Sequence, residues 1–486
     1  MQISANEWGI SQKCCICLGI NKLCLVILSH RAESMLKDKE VLSKAESAKA
    51  HSRNTIDLKI ILRALYHRNF RLFFGGQSIS LIGTWMQRTT MGWLVYRLTD
   101  SAFLLGLVGF VGQIPIFICT PFAGVLADKL NRHRVLIVTQ TLSMIQALVL
   151  AALVLTGTIR IWHIILLNIF LGFVDAVDTP VRQSFMIDMV EKRENLGNAI
   201  ALNSSMVNSA QLIGPSIAGI MIAAMGEGIC FLLNGLSYLA VIVSLLAMRM
   251  TSKKVESRRT RILHGLKEGC SYAFGFAPIR SLLLLVALVS LMGMPYMVLM
   301  PIFARDILHG GPHTLGFLMG STGLGALAGA AYLVSRKTVL GLGRWMALAT
   351  GTLGVSLILF SLSRVFCFSL FLMMVAGFGL TVQIGAGNTV LQTMVDEDKR
   401  GRVMSLYVMA FRGMMTFGSL LAGGLASKIG APNTLIIGGT SCILGSLMFA
   451  KRLPLLRRMV RPIYEKMGIV SEGASRNRKE MESDGR

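Results

Sequence analysis

Twelve long apolar runs, separated by short polar connectors, leave this chain few ways to fold. A hydrocarbon layer about 30 Å thick takes about 20 residues of helix to cross. Unpaired backbone groups are not tolerated there, so the helix is the spanning element such runs imply. They fall at about 72–96, 102–126, 135–155, 162–185, 199–225, 229–248, 281–303, 314–334, 345–362, 368–394, 403–426 and 433–449. Charged residues make up only 15% of the 486 residues, against about 25% in a soluble chain. The formal charge of +24 raises the question of nucleic acid. Its distribution answers it, because Lys and Arg gather in the connectors after even-numbered runs and in the two end segments. That pattern sets orientation and attracts anionic lipid: both termini are expected in the cytoplasm, with no nucleic-acid partner. The nine cysteines suggest neither a disulfide framework nor a zinc site. No metal or cofactor is expected.

The connector between the second and third runs is the most distinctive polar stretch. It contains Gly124, Asp128, Lys129, Asn131, Arg132, His133 and Arg134. Gly124 permits close helix approach. Asp128 is an anion at a helix end, placed to meet a helix N-terminus or an arginine. The pattern resembles the loop signature of the major facilitator superfamily, with Asn131 and His133 departing from it. The resemblance implies that Gly124, Asp128, Lys129, Arg132 and Arg134 belong to a cytoplasmic gate latching two halves of a transporter.

The chain also repeats. Gly172-Phe173 recurs as Gly377-Phe378, and Met189-Val190-Glu191 as Met394-Val395-Asp396. Gly214, Gly219 and Gly226 recur as Gly418, Gly423 and Gly430. The expected fold is therefore an all-α membrane protein, with twelve transmembrane helices in two six-helix bundles related by pseudo-twofold symmetry and a cavity between them. The expected segments are a largely disordered cytoplasmic extension (1–68), a first bundle (69–250), a basic linker (251–279), a second bundle (280–452) and a basic tail (453–486). In the fifth span, Gly214, Pro215 and Gly219 mark a kink: proline removes a helix hydrogen bond, and the segment resembles the Gly-Pro motif of antiporters in the same superfamily. Either this is a hinge for export, or it is ordinary small-residue packing.

Charges inside spans are costly unless paired or hydrated, and so point to function. Arg88 lies inside the first span, Asp175, Asp178 and Arg182 in the fourth, and Arg412 in the eleventh. The spacing of Asp175, Asp178 and Arg182 puts them on one helical face. Arg88 can pair with Asp175, and Asp178 with Arg182. Asp175 and Asp178 are the proton-coupling candidates, since a desolvated carboxylate takes a proton more readily and a nearby arginine opposes that. Arg88, Arg182, Arg412, Gln87, Gln113, Asn208 and Gln211 are candidates for the cavity lining. Each also has a purely structural reading, as an ion pair or helix–helix hydrogen bond.

The runs around Trp85-Met-Gln87-Arg88, Trp93-Leu-Val-Tyr96 and Asp178-Thr-Pro180-Val-Arg182 resemble a narrower group, the bacterial exporters similar to the enterobactin exporter. That resemblance implies export of a siderophore or similar small molecule. Together with the intramembrane carboxylates and arginines, it leads to the expectation of an inner-membrane secondary transporter, monomeric and driven by the proton gradient, with a siderophore-like or other small anionic cargo. Alternatives are a multidrug efflux pump, a lysophospholipid flippase, or a receptor or scaffold on a transporter fold. No phosphate loop, metal-ligand cluster or nucleophilic triad marks an enzyme. Asp128→Asn is expected to cripple transport with insertion intact; unchanged uptake into inverted vesicles would refute the latch.

Overall fold

The computed structural model describes residues 63–189, 196–248, 270–336 and 338–467, and gives helix residues 120–129 in backbone only. The N-terminal extension, most of the basic linker and the end of the tail lie outside the described residues. So do the side chains of Gly124, Asp128 and Lys129.

Among the described residues twelve spans follow one another. They are α1 (Arg68–Thr99), α2 (Ala102–Lys129), α3 (Arg132–Leu155), α4 (Ile161–Met189), α5 (Leu196–Met225), α6 (Glu227–Leu246), α7 (Ala277–Ile307), α8 (Pro312–Ser335), α9 (Leu342–Leu362), α10 (Phe366–Met394), α11 (397–429) and α12 (Ala431–Lys466). Eleven combine membrane length with strong apolar character. The remaining one, α1, has 32 residues but buries polar groups: Gln77, Ser80, Gln87, Thr89 and Thr90. The hydroxyls of Thr89 and Thr90 donate to backbone carbonyls one turn back, which removes their desolvation cost.

Short connectors make successive helices antiparallel. The face where α1 begins and α12 ends is here the near face, and its opposite the far face. α12 outruns the expected span, which was to end near 449. It continues through Pro454 and Pro462 to Lys466, because Leu456 and Val460, one turn apart, are buried in a cluster with Val403 and Tyr407. Part of the expected tail is thus helix.

The packing repeats with the sequence. In the first six helices, α1 packs on α5 and α6, α2 on α4, and α3 on α4 and α6. In the second six, α7 packs on α11 and α12, α8 on α10, and α9 on α10 and α12. Each pair has its counterpart six helices on. Between the halves, α2 packs on α11 and α5 on α8, as a pseudo-twofold axis would have it.

Glycine makes these inter-half crossings. A Cβ on Gly106 would meet Gly423 Cα at 2.8 Å, and one on Gly219 would meet Gly316 Cα at 2.8 Å. Gly106 and Gly316 open their helices at the far face, where Gly219 and Gly423 come near the ends of theirs. The halves are therefore in backbone contact at the far face, through two glycine pairs that the repeat relates. Gly214, next to Pro215, packs on α1: a Cβ there would stand 2.8 Å from the Ile82 carbonyl. The Gly214-Pro215-Gly219 segment thus lies where α5 crosses both α1 and α8.

Gly106→Val would force side-chain carbon into the Ser419 carbonyl, 2.5 Å from the nearest added atom. It is expected to part α2 from α11, raising thiol labelling of a far-face reporter cysteine and abolishing transport. Labelling and transport at wild-type levels would show that this contact does not hold the far face shut.

Candidate functional site: charges between the two halves

The intramembrane charges converge. Arg88 of α1 and Asp175 of α4 are 3.7 Å apart, with side chains 48% and 30% exposed. Arg88 also lies over the Trp85 ring, 5.3 Å from its centroid. Arg412 of α11, in the opposite half, is within electrostatic reach of Arg88, Asp175 and Arg182. It is exposed, and among the described residues it has no ion-pair partner. These groups share one space between α1, α4 and α11 rather than scattering toward lipid. Two arginines against one partly exposed carboxylate leave that space positive.

Asp178 differs from Asp175. Its side chain is 6% exposed and lies 3.5 Å from Arg182. It accepts hydrogen bonds from the Thr139 hydroxyl and the Gln140 amide of α3, both at 2.8 Å. So many partners tie α3 to α4 and leave this carboxylate little freedom. Gln87, expected in the cavity lining, is instead enclosed between helices. It donates to Gln146 of α3 at 3.1 Å and accepts from Asn234 of α6 at 2.7 Å. An amide of α1 facing amides on two other helices satisfies itself internally, which residue type alone does not reveal.

Asn208 and Gln211 lie on α5 between its α1 and α8 contact faces. They are opposite the exposed Ile213, Ile217 and Ile220, which mark the lipid side. In register with Gly214 on Gly418, Asn208 falls on Arg412, so the repeat puts an amide and a cation at equivalent positions. Gln113 is half-buried on α2. In the second half, Met189 on Met394 puts Leu380 where Asp175 stands and Gln383 where Asp178 stands. The carboxylates belong to the first half alone.

The near-face connector is described in part. Arg132 pairs with Asp188 at 2.8 Å, Asn131 caps α3 by accepting the Arg134 N–H, and His133 contacts the Leu245 carbonyl through Nε2 at 2.8 Å. These contacts hold the loop to its own half.

A polar clasp at the far face is absent from the sequence reading. The Tyr96 hydroxyl donates to the Asp306 carboxylate, and Arg305 pairs with Asp100 at 2.5 Å while lying over the Tyr96 ring. Tyr96 and Asp100 come from the first half, Arg305 and Asp306 from the second. Arg305 and Asp306 lie in a π-helical stretch, Phe303–Ile307, and Arg412 in another, Met409–Gly413. Such local widening often accompanies functional positions, and here it re-aims side chains that a regular helix would point elsewhere. Asp100 takes a left-handed conformation, φ 47°, which a short polar residue tolerates. The only hint in the sequence was an Arg-Asp pair closing the seventh apolar run.

With this geometry in view, the chain can be set beside known proteins. Residues 62–461 match the family described as transmembrane secretion effector. The chain belongs to that family, within the major facilitator superfamily. It is a transporter and not an enzyme. It is 25% identical over 380 residues to the staphyloferrin A transporter of Staphylococcus aureus, covering 78% of this chain and 95% of that one. It is 25% identical over 376 residues to the multidrug efflux pump Tap of Mycolicibacterium fortuitum, covering 76% and 91%. A crystal structure of the nucleoside transporter NupG superimposes with a TM-score of 0.62 at 13% identity, over 80% of this chain and 99% of that one. That likeness establishes the fold.

Loosening the clasp should open the far face. Asp306→Asn is expected to speed thiol labelling of a far-face reporter cysteine more than Asp100→Asn, because Asp306 holds the hydroxyl of the buried Tyr96, whereas both members of the Asp100–Arg305 pair are exposed and exposed pairs contribute about 0–1 kcal/mol. Equal, unchanged labelling in both variants would show that the clasp does not close this face.

Proposed function

We propose that this transporter is a proton-coupled exporter of a small anionic molecule, working in a bacterial inner membrane with its near face to the cytoplasm. The supporting observation is the shared space between Arg88, Asp175 and Arg412. A positive interior contributed by both halves suits an anionic cargo, and a single half-exposed carboxylate within it suits a proton. When Arg88 holds Asp175, the carboxylate stays ionised; when the halves rock and the arginine turns to cargo, the carboxylate is left to take a proton. The far-face clasp and glycine pairs favour reading this as a state open toward the near face, ready to load. Basic connectors on that side support a cytoplasmic near face. The staphyloferrin A transporter among its relatives agrees with a siderophore-like cargo.

A multidrug reading draws support from one further feature. Phe417 of α11 packs between Phe110 and Phe117 of α2, with centroids at 5.9 and 6.1 Å, an aromatic surface suited to apolar cargo. Comparing metabolites retained by cells with and without the protein, under iron limitation and iron sufficiency, separates the two.

Asp175→Asn is expected to abolish substrate-induced pH change in vesicles while leaving substrate binding measurable. Arg412→Gln is expected to weaken binding of anionic cargo about tenfold or more, the scale of a charged hydrogen bond. A persisting pH change in Asp175→Asn would remove this carboxylate as the proton carrier.

A further inference from the structure

The start of α9 repeats the start of α3 with its acceptors removed. In register with Gly106 on Gly316, Asn131 falls on Gly341 and Arg134 on Arg344. At α3, Asn131 caps the helix and Asp188 pairs with Arg132. At α9 the cap position is Gly341, φ 84°, with no side chain to offer. In register with Met189 on Met394, Thr393 stands where Asp188 does.

Arginine gathers there instead. Arg336 donates to the Tyr332 hydroxyl at 3.1 Å and to the Leu340 carbonyl at 2.8 Å, and reaches within 3.7 Å of a Cβ on Gly341. The extended α12 lies against the same turn, where a Cβ on Gly343 would meet Leu453 Cδ1 at 2.9 Å. Arg457 lies one turn beyond Leu453, the residue seated on Gly343 beside Arg344, and the two like charges are within electrostatic reach of each other. Arg457 Nη2 is buried and, among the described residues, has no hydrogen-bond partner. Among the described residues no carboxylate pairs with Arg344 or Arg457. The first half has no equivalent among its described residues, since its sixth helix ends at Leu246.

Two like-charged guanidiniums within electrostatic reach, one with a buried, unused N–H, form an arrangement that an anion relieves on both counts, and arginine forks match phosphate oxygens. Arg336 caps the near-face end of α8 and Arg344 lies in the first turn of α9, the ends of spanning helices where headgroups are expected. Arg344 ends an α9 stripe of exposed Leu348, Val355 and Leu359. The Tyr332 and Trp345 rings, 4.8 Å apart, stand beside it as interfacial aromatics do.

We propose that Arg344 and Arg457, with Arg336 beside them, form a phosphate site at the near face of the second half, occupied by the headgroup of an anionic lipid. This site is separate from the charged space between the halves and does not depend on the transport reading. Its test uses the full chain, purified in detergent and stripped of lipid. Short-chain phosphatidylglycerol, phosphatidylcholine with the same chains and inorganic phosphate are titrated separately, with bound molecules counted by native mass spectrometry.

One phosphatidylglycerol is expected to bind in preference to phosphatidylcholine. The double variant R344Q/R457Q should weaken it at least about tenfold, and the neighbouring R458Q should not. Should the double variant fail to fold, R344K/R457K, which keeps the charge and loses the fork, is expected to weaken binding in the same sense. Saturable phosphate binding, lost in the double variant without any lipid preference, would keep the site and overturn the lipid as occupant. Equal weakening by R458Q, or none by the double variant, would overturn the site.

Discussion

A charge placed halfway through a membrane has to be paired or hydrated, and much of this molecule is arranged around that demand. Arg88, Asp175 and Arg412 come from three helices and two halves, yet they meet in one space. None could be carried to lipid at acceptable cost, since each would lose several kcal/mol of solvation. The helices must therefore keep those faces inward, and that fixes the rotation of α1, α4 and α11 about their axes. Asp178 meets the same demand differently. It is enclosed and surrounded by Thr139, Gln140 and Arg182, and so ties helices of one half instead of joining the two.

Closure at the far face rests on a second kind of contact, in which side chains are nearly absent. Gly106 against Gly423 and Gly219 against Gly316 bring backbones together, where packing replaces a hydrophobic drive that lipid does not supply. Around those contacts stands the clasp of Tyr96, Asp100, Arg305 and Asp306. The glycine pairs give close fit and the clasp gives orientation. Both can be unmade and remade without unfolding a helix, as a barrier that opens requires.

The two halves are alike in packing and unlike in chemistry. The repeat that carries Gly106 onto Gly316 and Asn208 onto Arg412 also carries Asp175 onto Leu380 and Asp178 onto Gln383. The titratable carboxylates remain in the first half. The second half contributes a cation, and its α7 and α11 carry the π-helical stretches at Val289–Gly293, Phe303–Ile307 and Met409–Gly413. It also carries the overlong α12, whose basic end reaches α9.

What the amino-acid order determined by itself was the number of spans, most of their limits to within a few residues, the internal repeat and the shared face of Asp175, Asp178 and Arg182. These follow from length, hydropathy and helical spacing, which are properties of a single segment. Tertiary structure decided the rest. Gln87 became a bridge between α1, α3 and α6 because two other helices present amides at its height. The far-face clasp depends on where α1 and α7 end relative to each other, and on π-helical turns that no periodicity signals. The reach of α12 to Lys466 depends on a hydrophobic surface waiting for Leu456 and Val460. Each is an encounter between segments distant in the chain, and side-chain identity along one segment does not encode its partner's position.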